Sequence, residues 1–79
     1  MTIKEQTAVK AALKELALNA IDRIFEGAEV NLDIHGGADC VTLAIAEGKI
    51  AKANTIYWGV TDMPYERING LLDKVRGNK

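Results

Sequence analysis

"EVNLDIHGGADCVTLAIAE", residues 29–47, is the stretch whose reading decides the fold. Ahead of the glycines, Val30, Leu32 and Ile34 alternate with Glu29, Asn31, Asp33 and His35. Successive strand residues point to opposite faces, so this is a half-buried strand with one wet face. Beyond the glycines, Val41, Leu43 and Ile45 alternate with Cys40, Thr42, Ala44 and Ala46. A strand that is small and nearly apolar on its second face is tolerable on both, which places it centrally. Gly36-Gly37 is a favoured pair for a tight hairpin turn.

A third strand follows. "EGK" (47–49) is a turn signal and "KIAKANTIYW" (49–58) is its continuation. Ile50, Ile56 and Trp58 share parity, but so do Lys52 and Asn54. That imperfect alternation implies a bulge or an edge position, where lysines also discourage stray strand pairing.

Helices flank the strands. Thr2 and Glu5 have the spacing of a capping box. Val9, Leu13, Leu16, Ala17, Ala20 and Ile24 then recur at three- and four-residue steps, one apolar stripe on a helix that Gly27 ends. Leu18, Ile21 and Phe25 lie to one side of it. They are either the margin of a wide face wrapped by the sheet or a flange that meets another chain. The last helix takes Thr61 or Asp62 as N-cap and carries Pro64 in its first turn. Its stripe is Tyr65, Ile68, Leu72 and Val75, with Leu71 beside it, and the period continues across Gly70.

The expected architecture is therefore α+β, a two-layer αβββα domain spanning residues 1–79. The helices are expected at 3–27 and 62–76 and the strands at 29–35, 40–47 and 49–58, a three-stranded antiparallel meander with both helices on one face. The other face, with Asn31, Asp33, His35, Thr42 and Ala44, is left to solvent or to a partner.

Composition narrows the function classes. Hydrophobic residues are 48% and charged residues 27%, as in ordinary globular proteins. A 79-residue chain has a small core and often gains by self-association or by docking on a partner. One cysteine allows no internal disulfide, no apolar run approaches a membrane span, and the first ten residues mix acid and base. The expected location is the cytoplasm. Net charge is −1. Residues 28–48 carry four acids and no base, whereas 49–79 carry six bases and three acids. Lys74, Arg76 and Lys79 make a short basic tail and no basic face, so no direct nucleic-acid contact is expected.

"DIHGGADC" (33–40) holds the only histidine, the only cysteine and two aspartates. A metal site needs three or four converging ligands. Asp33, His35 and Cys40 can share the outer face, but the chain has no second histidine or cysteine and no ligand-spacing motif. A Cys–His nucleophile needs an orienting third group and a substrate pocket, and a three-stranded sheet offers little concavity. No catalytic residue, metal ligand or cofactor is assigned; a small metal-binding or catalytic domain centred on His35 and Cys40 is the alternative reading. "TIYWGVTDMPYE" (55–66) holds Tyr57, Trp58 and Tyr65, three of the four aromatics. Aromatics are enriched at interface hot spots. Tyr57 and Trp58 are adjacent on a strand and must point to opposite faces.

These residues suggest a non-enzymatic protein-binding module that occludes a larger, basic partner. Glu29, Asp33, Asp39 and Glu47 would supply charge, and Tyr57, Trp58 and Tyr65 would supply contact area. "VTLAIAEGKI" (41–50) is similar to hairpins of many sheets, iron–sulfur scaffold domains among them. Those depend on paired cysteines after the hairpin, where this chain has "WGV", so nothing carries over. The short length, compact α/β order, absence of catalytic equipment and acidic sheet segment are similar in type to small phage-encoded inhibitor proteins. That likeness implies an inhibitor of a host defence complex (anti-CRISPR-like) whose target is a basic nucleic-acid-binding assembly. A homodimer, or a structural homo-oligomer joined through the outer sheet face, is a third reading.

Overall fold

A computed structural model describes residues 2–47 and 50–77, with the side chains of Glu47, Ile50 and Ala51 outside that description. The order is α1 (Ile3–Phe25), β1 (Val30–His35), β2 (Cys40–Glu47), β3 (Ile50–Tyr57) and α2 (Pro64–Arg76). The strands form an antiparallel sheet in the order β1-β2-β3, so β2 is central as its two-faced composition requires. The turn expected at 47–49 centres on Gly48 and Lys49, which lie outside the described residues.

Pairing sets the inner face. Val30 opposes Ile45, Leu32 opposes Leu43 and Ile34 opposes Val41. Directly opposed residues share a face, so three apolar rows stand under the helices. The connection between β1 and β2 has the length that the expected strands 29–35 and 40–47 leave for it. His35 pairs with Cys40, leaving a four-residue loop, Gly36–Asp39, in which Gly37 (φ 91°) and Asp39 (φ 51°) are left-handed. A two-residue loop at Gly36-Gly37 would set Asp39 against Ile34 and move Ile45 past the start of β1, opposite Ala28. Apolar matching over the whole hairpin outweighs the local turn preference.

β3 occupies an edge and pairs with β2 without interruption from Tyr57 to Ile50, so the imperfect alternation reflects the edge and no bulge. Register places Asn54 on the helix side, where its Oδ1 accepts from Lys74 Nζ at 3.1 Å.

Both helices pack on this face, and they run parallel. Met63–Glu66 at the start of α2 lie near Lys4–Val9 of α1. At the other end, Arg76 Nε donates to Asn19 Oδ1 at 3.2 Å, and its Nη2 lies 3.9 Å from Glu15 Oε2. The core joins Val9, Ala12, Leu16 and Ala20 of α1 to Val30, Val41 and Leu43 and to Ile68, Leu71, Leu72 and Val75 of α2. Three residues differ from the helical stripes as read from sequence. Ala12 is buried, since a small side chain lets α2 approach. Ile24 is 48% exposed, and Tyr65 is also exposed. At about 1.5 Å per residue, the 23 residues of α1 reach far past the 13 of α2, which ends beside Asn19. Nothing from α2 covers the last turns of α1.

The caps show why the helices sit where they do. Thr2 Oγ1 accepts from Glu5 N–H at 3.1 Å, and Glu5 Oε1 accepts in return from Thr2 N–H at 3.3 Å. At the other end Gly27 is left-handed, Ala28 N–H donates to Arg23 O and Gly27 N–H to Ile24 O, the double bond pattern of a Schellman stop. For α2 neither Thr61 nor Asp62 is the cap. Thr61 N–H is held by Tyr57 O at 3.0 Å, in the turn that closes β3. Met63 becomes the N-cap in a left-handed conformation (φ 53°, ψ 56°), with Pro64 opening the helix. Proline disfavours the right-handed helical region for the residue before it, and Met63 reaches α2 from the left-handed region instead.

Two predictions follow from these elements. A methyl group at Gly70 would meet no atom within 4 Å, and the position is mid-helix. Gly70→Ala should raise stability by about 0.5–1 kcal/mol in urea unfolding. The Thr2 backbone N–H, then its hydroxyl, hold the Glu5 carboxyl below its ordinary value. A carboxylate lowered on folding adds stability that is complete above its unfolded pKa and is lost as pH falls through the folded one. Thr2→Ala removes the hydroxyl that accepts from Glu5 N–H and should cost about 1 kcal/mol at neutral pH, and only the share carried by the hydroxyl bond to the Glu5 carboxylate depends on pH. The deficit should shrink as the solution is acidified through the carboxylate range, read by thermal melts at several pH values.

Candidate functional site: the uncovered face of the sheet

The face of the sheet away from the helices is laid out by the same register. One row across it reads His35–Cys40–Tyr57, the next Asp33–Thr42–Thr55, and the next Asn31–Ala44–Ala53. Glu29 stands just before this sequence of rows, its carbonyl accepting from Ala46 N–H at 3.0 Å. The Thr42 and Thr55 hydroxyls are hydrogen-bonded at 2.9 Å, which ties the central strand to its edge neighbour on this side. No layer of the fold covers this face. Its middle is low because its side chains are small, and its margins carry Asp33 on one side and Tyr57 on the other.

Adjacent strands are about 4.8 Å apart and same-face neighbours along a strand roughly 6.5–7 Å apart. Asp33 and Tyr57 therefore stand roughly 10–12 Å from each other. They can engage two points of a flat macromolecular surface.

The parity argument about the aromatics resolves cleanly. Tyr57 points to the uncovered face and is 50% exposed. Trp58 turns the other way and packs on the core. Tyr65 lies in the first turn of α2, on the helix side, beside Lys4, Ala8 and Met63. Asp39 also leaves the acidic group. Its carbonyl accepts from Trp58 N–H at 3.1 Å. It borders a cleft of about 390 Å³ with Gln6, Lys10, Leu13 and Trp58. Thus Glu29, Asp33 and Tyr57 share a face, while Asp39, Trp58 and Tyr65 are elsewhere. Glu47 belongs to the backbone ladder of β2, and its side chain lies outside the described residues.

His35 and Cys40 are direct cross-strand partners, with Asp33 one row away. Among the described residues, no three His, Cys, Asp or Glu side chains are grouped to hold a metal ion. Cys40 is 6% exposed, closed in by its neighbours on the face. No polar or charged side chain is buried among the described residues, so the core holds no hidden polar network. No described helix is long and apolar enough to cross a membrane.

Family models, curated proteins and solved structures give no significant match to this chain.

A second surface contains the flange read from the sequence: Leu18, Ile21 and Phe25 are exposed, and Ile24 and Ile34, which the sequence placed on inner faces, are about half exposed as well. Helical period marked that flank of α1, whereas the exposure of Ile34 goes with its place on the edge strand β1.

The burial of Cys40 gives a measurable expectation. Thiol labelling under native conditions should be slow and should track opening of the β1–β2 hairpin, accelerating with denaturant along the unfolding curve. Labelling as fast as a free thiol peptide would show the row to be open.

Proposed function

We propose that the chain is a non-enzymatic protein-binding module whose uncovered sheet face docks on a basic surface of a larger partner. The observation that supports this reading is the placement of Glu29 and Asp33 on the same flat face as Tyr57, with only small side chains between. Acids at the rim steer a basic partner, and an exposed tyrosine buries large area with few rotors. A small-residue middle lets the partner's side chains come close to the backbone. The most concrete form of this activity is occlusion of a nucleic-acid-binding surface. Carboxylates would stand where phosphates bind, as in a phage or mobile-element inhibitor of a host defence complex.

The test starts from affinity capture in the native host and continues with binding kinetics on the captured partner. Neutralising Glu29 and Asp33 together should lower the association rate and flatten its salt dependence. Asp39→Asn, on the other side of the sheet, should do much less. Tyr57→Ala should act on the dissociation rate, at a cost of about 2 kcal/mol. An association rate unaltered by loss of both rim acids would refute electrostatic docking through this face.

A further inference from the structure

The apolar cluster at the end of α1 belongs to neither the core nor the sheet face just described. A groove of about 380 Å³ runs between α1 and β1, lined by Ala17, Ala20, Ile21, Ile24, Leu32 and Ile34. Every one of these side chains is apolar. Beside the groove, one turn of helix from Ile21, Phe25 projects with 86% of its surface exposed.

We propose that this ledge is the contact face of a two-fold symmetric homodimer, with Phe25 of each copy seated in the groove of the other. Three observations select a second copy of this chain as the occupant. First, a two-fold interface must be its own complement. Here a projecting ring and an apolar groove larger than that ring stand side by side on one surface. Second, the area is sufficient. Leu18, Ile21, Ile24, Phe25 and Ile34 are each half exposed or more, apart from two just below that mark. Together they present on the order of 500 Å², so two copies would bury about 1,000 Å² from these side chains alone, the threshold of a specific interface. Third, a net charge of −1 gives two copies almost no mutual repulsion. The rim is polar, with Lys14, Asp22 and Glu26 exposed around the ledge.

The experiment is sedimentation equilibrium of the full chain across the micromolar range, on wild type and on Phe25→Asp. The expected result is a wild-type dimer and an association about tenfold or more weaker in the variant, with an unchanged circular-dichroism spectrum. Tyr57→Ala should leave the dimer intact, which separates this face from the sheet face. A wild-type chain that stays monomeric at high micromolar concentration overturns the proposal, and so does a dimer indifferent to Phe25→Asp. Should Phe25→Asp fail to fold, Ile21→Cys decides. Its oxidation to a cross-linked dimer supports the two-fold contact, and its failure to cross-link overturns it.

Discussion

The alignment of Val30 with Ile45, Leu32 with Leu43 and Ile34 with Val41 is the constraint from which the rest of the structure follows. It gathers six apolar side chains on one face and so dictates where both helices must lie. The same register forces every other residue of β1 and β2 outward. The uncovered face, with its small-residue centre, is thus a by-product of building the core. The hairpin loop is subordinate to this alignment: it has four residues because that length brings the apolar rows together.

The second organising fact is a mismatch of lengths. A strand of six residues spans about 20 Å, whereas the 23 residues of α1 span about 34 Å. With α2 ending beside Asn19, α2 does not reach Ile24 and Phe25, and Phe25 stays 86% exposed. A sequence can hold a clean apolar stripe along a whole helix and still leave part of it wet. Burial needs a neighbour of matching length as well as a matching face.

That distinction separates what could be read from residues from what could not. Alternation and helical periodicity are local, and they located five elements and the central strand. The capping box at Thr2 and the stop at Gly27 are equally local, set by side-chain chemistry and a left-handed backbone. The N-cap of α2 falls on Met63, after a turn in which Thr61 N–H donates to Tyr57 O, and it has no side-chain cap bond for a sequence motif to announce. The candidate site divided in the same manner. Strand parity separated Tyr57 from Trp58, but it has no meaning inside a loop, and there Asp39 parted from Asp33. The exposure of Ile24 depended on where α2 stops, and that of Ile34 on its place in an edge strand.

The parallel course of the two helices has an electrical consequence. Each helix carries partial positive charge at its N-terminus and negative charge at its C-terminus. Antiparallel neighbours cancel these fields, whereas α1 and α2 add theirs, so the helical layer is a single larger dipole. The side chains oppose it at both poles. Glu5 and Glu66 occupy the first turns, and Arg23, Lys74 and Arg76 the last. These charges ease the pairing of two like-oriented helices.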